Sequence, residues 1–104
     1  MNLNLTGRHI EITPHLREHI STRFKKLAKF NHHIAEAEVV LFQDRAANIA
    51  EGRIHLNHTV LTAKGQGTDM YFAVNDLVEK LLHQLRKYEG KLHDRKRPTH
   101  LPKP

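Results

Sequence analysis

The sequence predicts a two-layer α+β domain, a four-stranded sheet with two helices on one face. Two long segments, one after Pro14 and one after Asp69, repeat apolar residues at helical spacing. Four short segments alternate apolar and polar residues, and the resulting order is β-α-β-β-β-α. Each helix has a single apolar stripe to bury, so both belong on the same side of the sheet. Leu, Ile, Val and Phe make up about a quarter of the 104 residues, enough for one packed core and no second domain.

The first strand runs from Asn2 to Arg8, with Leu3, Leu5 and Gly7 facing inward. Thr13 then supplies a helix N-cap and Pro14 the first helical position. Leu16, Ile20, Phe24 and Leu27 follow on one face, with Phe30 near the end, and Asn31 to His33 close the helix. Residues 35–43 are extended, with Val39 and Leu41 against Val40 and Phe42, and residues 44–48 form a turn. Residues 49–57 put Ile54 and Leu56 inward, and His58-Thr59 links them to a fourth strand, 60–65, with Leu61 and Ala63 inward. Gly65 and Gly67 are expected to break that strand.

Thr68-Asp69 caps the second helix, which runs from Met70 to about Leu92 on Val74, Leu77, Leu81, Leu85, Tyr88 and Leu92. Gly90 costs roughly 1 kcal/mol against Ala and is a point where this helix ends or loosens early. The domain is therefore residues 1–94. Residues 95–104, basic and rich in proline, form a disordered tail.

The formal net charge is +6, with 17 Lys and Arg against 11 Asp and Glu. From Lys80 onward, eight basic residues are opposed only by Glu89 and Asp94. Lys80, Lys87, Lys91 and Arg95 fall in one stripe of the second helix beside its apolar face, at roughly 100° per residue. Arg23, Lys25, Lys26 and Lys29 cluster on the first helix. If the helices lie side by side, the two groups line one basic groove. That pattern favours nucleic acid over a merely solvated surface. An anionic membrane fits least, because the apolar stripes are needed for the core.

Other chemistry lacks its residues. There is no cysteine, so disulfides, thiolate catalysis and cysteine metal sites are excluded. No apolar run reaches the length of a membrane span, and the first residues lack the pattern of a signal peptide. Gly65-Gln66-Gly67 is too short for a phosphate-binding loop, and no nucleophile elbow or paired catalytic carboxylates stand out. The expectation is a cytoplasmic binding protein, not an enzyme, with no cofactor and no small-molecule substrate. Among ten histidines, His15 and His19 have the spacing of two metal ligands. No third ligand is at a convincing distance, so no metal is expected. His55 lies on the sheet face away from the helices, beside Arg53 and Asn57.

Several segments together resemble the ribosome hibernation promoting factor family. They are Asn2 to Gly7, Glu11-Ile-Thr-Pro14, Asp69-Met-Tyr71 with Ala73, Lys80-Leu, and Gln84-Leu-Arg-Lys87. The family includes the ribosome-associated inhibitor of translation and is also called sigma-54 modulation protein. The resemblance spans residue 2 to about residue 92. It implies the β-α-β-β-β-α fold, similar in shape to a double-stranded-RNA-binding domain. It also implies a stationary-phase or stress factor that binds the small ribosomal subunit. There it blocks the channel for mRNA and for A- and P-site tRNA, and so inhibits translation. The matching basic positions are Arg23, Lys26, Lys80, Arg86, Lys87 and Lys91, and the charge pattern adds Lys29 and Arg95 as rRNA contacts.

Two positions often basic in that family are His83 and Glu89 here, which puts the grip on rRNA around that turn in doubt. The chain resembles the short form, without room for the C-terminal dimerisation domain of the long form. Short forms either assist a separate ribosome modulation factor in pairing inactive ribosomes or hold single idle ribosomes. The tail leans towards pairing. The rival readings are a general RNA-binding module or chaperone, a regulator acting on a sigma factor, and a His-rich metal-handling protein.

Overall fold

The computed structural model describes residues 1–31 and 33–96, with side chains through residue 90. The elements are β1 (Asn2–Gly7), α1 (Pro14–Phe30), β2 (Glu36–Asp44), β3 (Ala47–His55), β4 (Val60–Gly67) and α2 (Met70–Lys96). They form one sheet in the order β1-β2-β3-β4. β1 pairs with β2 in parallel, Asn2 opposite Glu36, and the other two pairings are antiparallel. Both helices cover one face, as the α+β reading requires.

Local chemistry sets the boundaries. Thr13 caps α1, its Oγ1 accepting from Leu16 N at 3.2 Å, with Pro14 at the first helical position. Asp69 does the same for α2, its Oδ1 accepting from Phe72 N at 3.0 Å. Asn31 ends α1 by donating its backbone N–H to the Leu27 carbonyl. The core joins Leu16, Ile20, Phe24 and Leu27 of α1 to Ala73, Val74, Leu77, Val78, Leu81 and Leu85 of α2 over Ala37, Val39, Leu41, Ala50 and Ile54. Leu3, Leu5 and Leu61 pack against its margin. Phe30, placed near the end of the apolar row of α1, is instead 42% exposed.

Four expectations need correction. The β2–β3 turn is only Arg45-Ala46, because Arg45 takes a left-handed φ of 58° and Asp44 already pairs with Ala47. The β3–β4 link is longer than His58-Thr59 and spans residues 56–59, closed by Leu56 N donating to the Thr59 carbonyl at 2.9 Å. Gly65 and Gly67 do not break β4, which continues to Gly67. A Cβ on Gly65 would overlap the Ala73 carbonyl oxygen and Leu77 N of α2, so glycine here lets helix and strand backbones touch.

The last correction concerns the end of α2. Gly90 interrupts nothing, since the helix runs through it to Lys96. Good helix formers around a single glycine outweigh its modest penalty. Arg95 and Lys96 therefore belong to the helix, not to a tail beginning at residue 95. The rest of the expected tail, residues 97–104, lies outside the described residues, as does the side chain of Leu92.

Candidate nucleic-acid interface

The helices run parallel, fixed by two contacts at opposite ends. His19 Nε2 is 2.9 Å from Asn75 Oδ1, and its ring meets Tyr71 edge-on at 5.1 Å. Twelve residues later, at the C-cap of α1, buried Asn31 donates from Nδ2 to Glu89 Oε1 at 3.1 Å and accepts from His33 N at 2.7 Å. Glu89, where the resemblance leads one to expect a base, is thus a tie between the helices.

These contacts orient the basic side chains. Arg23 and Lys26 follow His19 by four and seven residues, which keeps them on the side of α1 facing α2 at about 100° per residue. Arg86 follows Asn75 by eleven residues and so returns to the side of α2 facing α1. Arg23 is half-buried, and Lys26, Lys29 and Arg86 are exposed. Lys29 turns outward from the seam between the helices.

Lys80 and Lys87 take the other flank. Lys80 Nζ donates to the Lys64 carbonyl of β4 at 3.0 Å and pairs with Asp76 Oδ2 at 3.1 Å. Gln84 Nε2 donates to the Thr62 carbonyl at 2.6 Å, and Gln66 N donates to Asp76 Oδ2 at 3.0 Å. The outer edge of β4 is thereby closed by α2 side chains, which blunts an edge strand. Lys87, seven residues beyond Lys80, shares this flank and is exposed.

The single groove expected between Lys26 and the Lys80–Lys87 stripe is therefore two surfaces. One is the seam, with Arg23, Lys26 and Arg86. The other is the β4 flank, with Lys80, Lys87 and exposed Lys64. Lys64 was not singled out from the sequence, although the alternation of β4 turns it away from the core. Lys91 and Arg95 follow Lys87 at four-residue intervals on the α2 backbone, and their side chains lie outside the described residues.

The open sheet face is mixed in charge. His55 Nε2 lies 3.1 Å from Glu38 Oε1, and Arg8 stacks over Phe42 at 4.3 Å while pairing with Glu51 at 3.6 Å. His15 is exposed, while His19 is held by Asn75. Among the described residues no group of three His, Asp or Glu could hold a metal, and no helix is long and apolar enough to cross a membrane.

Comparisons agree with this architecture. Residues 3–93 match the family model "Sigma 54 modulation protein / S30EA ribosomal protein". The ribosome hibernation promoting factor of Klebsiella oxytoca is 38% identical over 92 residues, 88% of this chain and 97% of the relative. The ribosome-associated factor Y of Haemophilus influenzae is 34% identical over 96 residues, 92% and 90% of the two chains. A solved ribosomal subunit interface protein from Coxiella burnetii superposes with a TM-score of 0.83 at 26% identity, covering 86% of this chain and 99% of that one. With the strand order, both helices and most of its length in common with these proteins, the chain belongs to the ribosome hibernation promoting factor family.

Proposed function

We propose that the chain is a cytoplasmic ribosome hibernation factor that acts by occlusion and catalyses no reaction. It binds rRNA of the small ribosomal subunit in stationary phase or stress, fills the path of mRNA and of A- and P-site tRNA, and inhibits translation. Inactive ribosomes, favoured in paired form with a separate modulation factor, are the product. The observation that carries this reading is the set of cations, exposed except for half-buried Arg23, on two helices packed over one sheet. Arg23, Lys26 and Lys29 stand on α1, and Arg86 and Lys87 on α2. Lys91 and Arg95 follow on the α2 backbone and join them in this reading. Cations in fixed array suit the phosphates of folded RNA, which is recognised largely by shape. Lys80 has a third N–H to offer beside those on Asp76 and the Lys64 carbonyl, but its charge is partly offset by Asp76.

The test is a ribosome profile of stationary-phase cells with and without the chain. Co-migration with small subunits and whole ribosomes, and loss of paired ribosomes on deletion, is the expected result. A chain that stays free of ribosomes while binding RNA at large would be a general RNA chaperone. Ribosome-free, salt-resistant and RNase-resistant association with a sigma factor would identify a transcription regulator.

A further inference from the structure

The outward face of α2 changes character along its length. In the second half the exposed charged residues are basic, Arg86 toward the seam and Lys87 toward β4, whereas in the first half Phe72 and Glu79 are exposed and Asp76 between them half-buried. These three recur at i, i+4 and i+7 and so form one row. Phe72 is 59% exposed and Tyr71 beside it 39% exposed. Tyr71 is braced by the His19 ring, so the aromatic step is held by both helices. Asp76 is occupied by Lys80 and Gln66 N. Glu79 is exposed and has no ion pair among the described residues.

We infer that this half of the helix layer docks a basic protein segment, with an arginine guanidinium stacked on Phe72 and donating to Glu79. A planar guanidinium can satisfy an aromatic face and a carboxylate together. Nucleic acid suits the row poorly, because its phosphates would be brought against Asp69, Asp76 and Glu79, and Lys80, the cation next to Glu79, is already paired with Asp76. The inference deepens the ribosome reading, since a ribosome offers protein as well as RNA surfaces.

The chain has no tryptophan, so Phe72→Trp introduces a lone indole reporter. The full chain carrying it is titrated with an arginine-glycine peptide and, separately, with a single-stranded oligoribonucleotide. The peptide should change the indole emission saturably, and adding Glu79→Gln should weaken that binding about two- to fivefold. The oligonucleotide should bind, by its own anisotropy, without altering the indole. Emission that responds to the oligonucleotide and not to the peptide would make the row a nucleobase platform and overturn the inference. Emission that responds to neither, or peptide binding indifferent to Glu79→Gln, would overturn it as well. Sedimentation of the unmutated chain with ribosomes separates the two readings. Peptide binding without co-sedimentation sinks the ribosome role alone, and co-sedimentation without a peptide response sinks this inference alone.

Discussion

The amine of Lys80 donates to the backbone carbonyl of Lys64 at 3.0 Å, tying the middle of α2 to the outer edge of β4. With Gln84 on the Thr62 carbonyl and Asp76 on Gln66 N, it forms a latch along that edge. A lysine so engaged releases few counterions when RNA binds. Lys80→Gln is therefore expected to leave the slope of log affinity against log salt nearly unchanged in ribosome binding. Lys87→Gln should reduce that slope by about 1. Equal reductions would place Lys80 among the phosphate contacts.

The two surfaces make a distinct prediction for charge reversal. Lys26→Glu and Lys87→Glu should each abolish inhibition in cell-free translation with the circular dichroism spectrum unchanged. Lys103→Glu makes the same change of net charge in a residue outside the described region and should keep most of the inhibition. Lys26 and Arg86 share the seam, so their binding losses should be non-additive, while those of Lys26 and Lys87 should add within about 0.5 kcal/mol. Equal loss in all three single reversals would mean that bulk charge drives binding.

Leu81 is fully buried within the cluster that includes Leu77, Leu85, Leu41 and Leu56. Leu81→Ala should cost about 2–5 kcal/mol of unfolding free energy in urea, the range for emptied leucine sites. A cost below about 0.5 kcal/mol would be incompatible with that packing.

Two glycines should respond in opposite directions. Gly65→Ala drives a methyl group into the backbone of α2 and should destabilise by about 1–3 kcal/mol or more, since backbone cannot step aside as a side chain can. A Cβ on Gly90 meets nothing within 4 Å, so Gly90→Ala should stabilise by about 0.4–1 kcal/mol. Thermal midpoints of the two variants check both signs.

Local signals carried most of the fold. Thr13-Pro14, Asp69 and the apolar rows each depend on neighbours a few residues away, and apart from exposed Phe30 and the undescribed side chain of Leu92 they stand where their spacing placed them. What escaped depends on distant partners. Gly65 reads as a breaker until α2 is laid against it, and Glu89 reads as a lost cation until Asn31 is found beneath it. The candidate site suffered in the same way. Residue spacing put Lys80, Lys87, Lys91 and Arg95 in one stripe of α2 and a cluster of cations on α1, without saying which side of α1 or where Arg86 faces. Only the direction in which the helices face one another divides Lys26 from Lys80, and that depends on His19 meeting Asn75 across 56 residues of sequence.

The parallel pairing of β1 with β2 also sets an order of assembly. β2, β3 and β4 join through links of two and four residues, and two residues separate β4 from α2. Those closures cost little chain entropy and come early. Asn2 pairs with Glu36 across the whole of α1, a longer closure, so β1 and α1 are expected to dock onto a sheet already three strands wide. Pulse-labelled hydrogen exchange during refolding should protect amides of β3 and β4 before those of β1. The amino-terminal strand and helix, with Arg23 and Lys26, would then be the last part of the molecule to become competent, after the carboxy-terminal helix is already in place.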